Sequence, residues 1–152
     1  MNIDPNKIFN EILIIQYYDI KNNIIKLPDY NRANRDIKVN NMKIKVIFDT
    51  SAAISAMSIR LMKKLSIELE KKEENFTNSA SGNQIKKFGY IRKEVEIKNI
   101  KIPITFMIIE SSLEEVLLSN DFLEMTKARI DYKTRKIEMR YNNKYFNIDF
   151  NI

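Results

Sequence analysis

A carboxylate at the end of an apolar segment is the feature of this sequence best suited to chemistry. Asp49 follows the apolar residues 46–48, and the small residues Thr50, Ser51 and Ala52 after it permit a tight turn. Such a turn would expose Asp49 on a rigid support, where a carboxylate can act as an acid or a base. An aspartate at this place also serves simply as a turn residue, because its side chain accepts hydrogen bonds from nearby backbone N–H groups. The motif alone leaves both interpretations open.

The residues on which most other hydrolases depend are absent from the chain. It contains no histidine and no cysteine. A disulfide framework and a thiol nucleophile are therefore excluded. Zinc sites normally use cysteine and histidine, and serine and cysteine hydrolases normally use a histidine base. Acid–base chemistry falls to carboxylates, and we expect no metal and no other cofactor.

The charge of the chain raises the question of a nucleic-acid or membrane partner. Its 152 residues fit one domain with a hydrophobic core, and 26 basic against 20 acidic residues give a net charge of +6. Basic residues are spread along the chain and mixed with acidic ones, as in residues 71–74, which favours a solvated surface over a cationic binding stripe. Residues 1–9 lack the pattern of a secretory signal, and no apolar run is long enough to span a membrane. We therefore expect a cytoplasmic protein without a membrane or nucleic-acid partner.

Residues 36–152 have the pattern of an all-β domain. Alternating apolar residues at 37–39 and 44–48 flank Asn40 and Asn41, which predicts a β-hairpin that ends at Asp49. Residues 1–35, where helical and strand spacing overlap, are expected to form an N-terminal extension or linker. The number of strands predicts a closed or nearly closed barrel. The further predicted strands are 67–69, 75–78, 85–97, 102–109, 116–118, 128–132, 136–141 and 145–150.

Two short helices interrupt this strand pattern. Ser58 is placed to cap a helix that ends at Leu65. Asn120 or Asp121 is placed to cap a second helix that ends at Thr126. The helices are therefore expected next to the Asp49 motif and near the C-terminal strands.

A second hairpin is predicted in the middle of the chain. The polar residues 80–84 separate two extended segments and have the composition of a hairpin tip. The returning strand, residues 85–97, contains Gly89, which predicts a break or a bend.

Taken in order, these motifs resemble the retropepsin-like aspartic proteases of retroviruses and LTR retrotransposons. In that family an apolar strand ends in Asp-Thr/Ser-Gly-Ala, similar to residues 49–52, and a short helix follows. The family's flap hairpin resembles residues 78–85, and its apolar-apolar-Gly-x-Asp-Phe-Leu segment resembles residues 117–123, before a strand like 128–132. The resemblance covers about residues 36–141 and implies a retropepsin-like acid-protease barrel with one lobe per chain.

The resemblance also implies a role for each matching residue. It makes Asp49 the catalytic aspartate, Thr50 the hydroxyl residue that braces paired active-site loops, and Ser51 the third residue of the catalytic motif. Asp121 is not a second catalytic acid by this match and is expected to cap the helix or form local hydrogen bonds. The implied substrate-binding residues are Ala52 and Ala53 beside the substrate and Ala80, Ser81, Gly82 and Asn83 at the flap tip.

One chain supplies only one such aspartate, so the implied chemistry requires a homodimer. The two Asp49 carboxylates would share one proton, because like charges in contact resist joint ionisation. One carboxylate would activate a water molecule and the other would protonate the scissile carbonyl. The implied substrate is an extended peptide or a polyprotein, which would be the polyprotein of a retroelement.

Ser51 and Ser119 depart from the family pattern, which has glycine at both positions. Glycine is used where the backbone needs positive φ or a close approach, so a β-carbon there is expected to cost about 1–3 kcal/mol. The Ser51 hydroxyl could hydrogen-bond the nearby carboxylate or displace the catalytic water. Two functions therefore stay open: an active aspartic endopeptidase, and a catalytically silent dimeric binding module with the same barrel and groove.

Overall fold

The computed structural model describes residues 33–78, 82–112 and 114–152. Most of the expected N-terminal extension, residues 1–32, lies outside the described residues. Within these ranges the chain forms ten strands and two short helices. In chain order they are β1 (Asn34–Val39), β2 (Met42–Phe48), β3 (Ala56–Ser58), α1 (Ile59–Lys64), β4 (Lys71–Asn78), β5 (Gln84–Ile97), β6 (Ile100–Ile109), β7 (Val116–Leu118), α2 (Asn120–Met125), β8 (Arg129–Asp131), β9 (Lys136–Tyr141) and β10 (Lys144–Asp149).

Six strands close into a barrel. Their order is β1-β2-β7-β3-β6-β5, and a pairing of β1 with β5 joins the two ends of the sheet. Strand β4 lies outside this ring, on β5, while β8, β9 and β10 form a separate antiparallel sheet. The β2–β7 and β3–β6 pairs are parallel. The all-β barrel with short helices, expected from the sequence, is confirmed.

The hairpin that leads to Asp49 forms as the sequence predicts. Strands β1 and β2 pair in register from Asn34↔Ile47 to Val39↔Met42. Asn40 and Asn41 connect them with φ values of 52° and 64°. A two-residue turn of this kind needs positive φ at both positions, and asparagine tolerates it better than most residues. Inward-facing side chains such as Val39 and Val46 are fully buried in the core.

The first helix begins where it was predicted, but the strand expected after it is absent. The Ser58 hydroxyl accepts a hydrogen bond from Leu61 N at 3.0 Å, which caps α1. The prediction of a strand at residues 67–69 is wrong. Ser66 takes φ 57°, and Ile67 N donates to Met62 O at 3.1 Å, so the backbone closes the helix end instead of pairing with a strand.

Strand β5 is distorted where Gly89 predicted a bend. The β4–β5 register shifts between Lys72 and Asn75, and the β5–β6 register shifts between Lys87 and Gly89. Gly89 has φ 149°, and a β-carbon there would overlap Lys71 O. Glycine is therefore required for the two strands to approach each other at this point.

Candidate active site

Backbone hydrogen bonds hold the chain at Asp49 and at the residue before it. Asp49 follows the last residue of β2, and its N–H donates to Leu118 O in β7 at 2.9 Å. One residue earlier, Phe48 N donates to Ala33 O at 3.0 Å. Phe48 is buried, whereas the Asp49 side chain is half-exposed. The carboxylate therefore extends from a rigid, buried strand end, as the sequence predicts.

Ser51 orients the Asp49 carboxylate. Ser51 N donates to Asp49 Oδ1 at 2.9 Å, and Ser51 Oγ donates to the same oxygen at 2.5 Å. The backbone bond is a turn interaction, so Asp49 also acts as the turn residue that the simpler interpretation expected. The predicted hydrogen bond from the Ser51 hydroxyl to the carboxylate is confirmed.

The backbone strain expected at the two serines that replace glycine is not found. Ser119 has φ −104°, and Ser51 is not among the positive-φ residues of the described chain. L-amino acids adopt such conformations without strain, so positive φ is not a source of cost at either serine. Ser119 is instead fully buried, and its hydroxyl has no hydrogen-bond partner among the described residues. An unsatisfied buried hydroxyl costs about 1–3 kcal/mol.

Thr50, the residue after Asp49, carries a second buried hydroxyl. Its backbone carbonyl accepts a hydrogen bond from Asn120 Nδ2 at 3.0 Å. Its Oγ1 atom is buried and, within the described part of the chain, has no hydrogen-bond partner. Buried polar atoms in folded proteins are nearly always paired, so this atom needs an explanation.

The first turn of α2 holds the residues that follow Thr50. Asn120 N donates to Ala52 O and Asp121 N to Ala53 O, both at 3.1 Å. The prediction that Asn120 or Asp121 caps this helix is wrong, because Ser119 is the N-cap residue and makes no side-chain cap bond. Asp121 instead accepts hydrogen bonds from Ser55, which lies 66 residues earlier in the chain.

Ser55 and Asn120 are site residues that the sequence interpretation missed. Ser55 is fully buried, and Asn120 reaches the Thr50 carbonyl. A polar residue between Ile54 and Ala56 was the available signal for Ser55, since a serine next to a short buried strand needs a partner. Asn120 carried no comparable signal, because its partner is a backbone atom distant in sequence.

Of the predicted flap residues, Gly82 and Asn83 come directly before β5, which pairs with β4 as far as Asn78↔Gln84. Ala80 and Ser81 lie outside the described residues. Gly82 and Asn83 are exposed, and Gly82 has φ 82° with open space where a β-carbon would be. Gly82 therefore meets the backbone requirement of a hairpin tip.

A nearly buried lysine connects the two strands of this hairpin. Lys87 Nζ donates to Glu73 Oε1 at 3.1 Å and to the Tyr90 hydroxyl at 3.2 Å. Hydrogen bonds from Lys87 and then Lys71 hold the pKa of Glu73 below its ordinary value. Hydrogen bonds with Tyr90 and then Glu73 raise the pKa of Lys87. Both shifts favour the charged forms and so maintain the ion pair.

Other features of the described residues do not point to a different site. An open depression of about 410 Å³ lies between the β1–β2 turn and strands β5 and β6, away from Asp49, and it is lined by acidic and basic side chains. Across residues 33–78, 82–112 and 114–152, no group of three or more acidic, histidine or cysteine side chains could hold a metal ion. No helix in these ranges is long and apolar enough to cross a membrane.

Comparison with protein-family models identifies the family. A model described as "gag-polyprotein putative aspartyl protease" matches residues 35–125. This match covers more than half of the chain and includes the Asp49 motif and α2. The chain belongs to this family of retropepsin-like aspartic proteases. The resemblance seen in the sequence is thereby confirmed.

Solved structures show the same retropepsin-like fold. The retroviral protease-like domain of Ddi1 from Leishmania major matches with a TM-score of 0.60 and 20% identity, over 78% of this chain and 92% of that one. The EIAV protease complexed with the inhibitor HBY-793 matches with a TM-score of 0.52 and 17% identity, over 61% of this chain and 86% of that one. At these identities the likeness concerns the fold. A search of curated protein sequences gave no match.

Proposed function

We propose that the chain is an aspartic endopeptidase that acts as a homodimer, with one Asp49 contributed by each subunit. The observation that carries the proposal is the Thr50 hydroxyl, which is buried beside Asp49 and unpaired among the described residues. A second copy related by a two-fold axis would bring an identical loop to this atom and supply its hydrogen bond. The same axis would bring the second carboxylate to the first.

The chemistry follows from two carboxylates that share one proton. One carboxylate removes a proton from a water molecule as the water attacks the scissile carbonyl, and the other donates its proton to the carbonyl oxygen, which gives a gem-diol. The proton taken from water then passes to the amide nitrogen as the C–N bond breaks, and a hydroxyl of the diol returns its proton to the other carboxylate, which restores the shared proton. Ser51 holds Asp49 through Oδ1, which limits rotation of the carboxylate plane during the reaction.

The proposed substrate is an extended peptide segment of a polyprotein, bound in the groove between the two subunits. The small side chains of Ala52 and Ala53 leave room for a substrate backbone next to Asp49. Gly82 and Asn83, with Ala80 and Ser81, would cover the peptide from the hairpin tip and exclude water. The matching family, described as a gag-polyprotein putative aspartyl protease, supports a retroelement polyprotein as the substrate.

A catalytically silent dimeric binding module is the second candidate function. The Ser51 hydroxyl favours it, because its 2.5 Å bond occupies Asp49 Oδ1, an acceptor that glycine would leave open on that side. The normal backbone conformation of Ser51 and Ser119 argues for activity, since neither serine strains the loop.

Cleavage by the purified full chain tests the proposal. We expect a confirmed dimer to cut a peptide library at mildly acidic pH, and Asp49→Asn to abolish cleavage. Asp36→Asn is the matched control, because Asp36 is an exposed aspartate in β1 and its substitution should leave the rate unchanged. Equal cleavage rates for wild type and Asp49→Asn contradict the proposal. The absence of cleavage by a confirmed wild-type dimer also contradicts it. Activity that appears only in Ser51→Gly supports the silent module.

A further inference from the structure

Asp121 has no part in the proposed chemistry, but its carboxylate is hydrogen-bonded to the segment that follows Asp49. Asp121 Oδ2 accepts a hydrogen bond from Ser55 N at 3.0 Å. Asp121 Oδ1 accepts one from Ser55 Oγ at 2.6 Å and one from Phe122 N at 2.7 Å. Carboxylate oxygens accept hydrogen bonds, so the three converging donors fix the position of the Asp121 side chain.

Ser55 connects Asp121 to Ser119, the residue that follows β7. Its hydroxyl donates to Asp121 and accepts a hydrogen bond from Ser119 N at 3.1 Å. Ser55 is fully buried, so water cannot replace either partner. The hydroxyl has one proton to donate, and that proton is used for Asp121. Ser55 therefore depends on Asp121 for its orientation.

The Asp49 loop, defined as residues 49–55, is held by residues 118–121 along its whole length. Leu118 O binds the start of the loop, and Asn120 binds Thr50 O through its side chain and Ala52 O through its backbone. Asp121 binds the end of the loop through Ser55. Among these contacts, the bond between Ser55 Oγ and Asp121 Oδ1 is the one that joins two side chains.

We infer that Asp121 is a positioning residue, which acts through Ser55 to fix the Asp49 loop in the geometry that peptide hydrolysis needs. This inference rests on the proposed function. A misplacement of about 1 Å at a catalytic group lowers the rate on the order of a hundredfold. The loop ends at Ser55, whose carbonyl also accepts a hydrogen bond from Met107 N at 3.0 Å. Loss of the Asp121 carboxylate therefore leaves this backbone contact in place and loosens the loop end by removing the bonds from Ser55 N and Ser55 Oγ.

A double-mutant cycle tests the inference. We expect Ser55→Ala and Asp121→Asn each to lower kcat about tenfold to a hundredfold, with KM changed less than about twofold. The double variant should be about as active as the less active single variant, because both substitutions disrupt the bond between Ser55 Oγ and Asp121 Oδ1, whereas the bond from Ser55 N is affected by Asp121→Asn alone. Glu124→Gln is the matched control, since Glu124 is an exposed acid on the same helix. An Asp121→Asn dimer with wild-type kcat, or multiplicative losses in the double variant, overturns the inference.

Amide hydrogen exchange separates this inference from the proposed function. In Asp121→Asn and in the milder Ser55→Ala, amides of residues 49–55 should exchange at least about tenfold faster, while amides of β9 stay protected. Faster exchange in a protein that cleaves nothing supports positioning and refutes the protease. Unchanged exchange in the loop of both variants overturns positioning, whatever the wild-type activity.

Discussion

At the residue scale, the two serines that stand in glycine positions differ in the hydrogen bonding of their hydroxyls. Ser51 uses its hydroxyl on Asp49, whereas the buried Ser119 hydroxyl has no partner among the described residues. Neither has the strained backbone that their positions suggested. The two serines therefore differ in the hydrogen bonding of their hydroxyls, and neither effect comes from positive φ.

Removing the Ser119 hydroxyl should stabilise the fold. We expect Ser119→Ala to raise the free energy of unfolding by about 1 kcal/mol, because it removes an unsatisfied buried group. Ser58 is the matched control, since it is the N-cap residue of the other helix and its hydroxyl does accept a hydrogen bond. Ser58→Ala should lower the free energy of unfolding by about 1 kcal/mol. Urea unfolding of both variants measures the difference, and destabilisation by Ser119→Ala would refute the expectation.

The sequence predicted the components of the site better than their connections. The strand before Asp49 and the turn after it follow from local alternation and small residues, which are visible in sequence. The Ser55–Asp121 bond joins residues far apart in the chain, so no local pattern could reveal it. The family resemblance identified both segments, and the structure shows the hydrogen bond that joins them.

At the element scale, prediction succeeded where the turn chemistry was explicit. The Asn40-Asn41 turn and the alternation around it fixed the first hairpin and its register. Residues 67–69 have strand-like alternation, but Ser66 adopts a helix-terminating conformation usually taken by glycine. A serine gives no warning of that conformation, so the sequence could not distinguish the helix end from a strand.

Gly89 should be essential to the β4–β5 hairpin. We expect Gly89→Ala to lower the free energy of unfolding by more than about 2 kcal/mol, because the new methyl group overlaps Lys71 O and φ is positive. Gly82→Ala should cost about 1 kcal/mol, since its φ is positive but its surroundings are open. Chemical denaturation compares the two variants, and an equal cost at both positions would show that the overlap is relieved by backbone movement.

The Glu73–Lys87 pair should make the same hairpin sensitive to acid. Glu73 has a lowered pKa, so its contribution to stability is present above the ordinary glutamate pKa and is lost as pH falls through the lowered value. Lys87 has a raised pKa, so its own contribution is lost only in strongly alkaline solution. The difference in melting temperature between wild type and Glu73→Gln should therefore be positive at neutral pH, begin to shrink as pH falls below the ordinary glutamate pKa of about 4.3, and approach zero in more acidic solution.

Glu74→Gln provides the control for this measurement. Glu74 is an exposed glutamate next to Glu73 in β4. Its substitution should leave the pH dependence of the melting temperature unchanged. A pH-independent effect of Glu73→Gln would show that the ion pair does not stabilise the hairpin.

At the scale of the whole molecule, the barrel is closed but the proposed active site is only half present in one chain. The closed ring of six strands means that each chain can fold its own core. Dimerisation would then add the second aspartate without exchanging core elements. Removal of the Thr50 hydroxyl can distinguish the stability of the fold from the stability of the dimer.

Thr50→Val should weaken the dimer and spare the monomer. Valine keeps the shape of threonine and removes the unpaired hydroxyl, so monomer stability should stay equal or rise. The dimer would lose two symmetry-related hydrogen bonds, each worth about 0.5–1.5 kcal/mol, which raises its Kd roughly tenfold to a hundredfold. Sedimentation equilibrium measures the Kd. An unchanged Kd would mean that a partner subunit does not bind this hydroxyl.

The pairing of Asn34 with Asn151 has a consequence for a longer polypeptide. Their backbones exchange hydrogen bonds of 2.9 and 2.8 Å, so the start of β1 and the residues just after β10 meet at one corner. Any sequence that continues beyond either end enters and leaves at that single corner. The domain can therefore be carried as a side module, without separating the flanking parts of a larger protein by its own width.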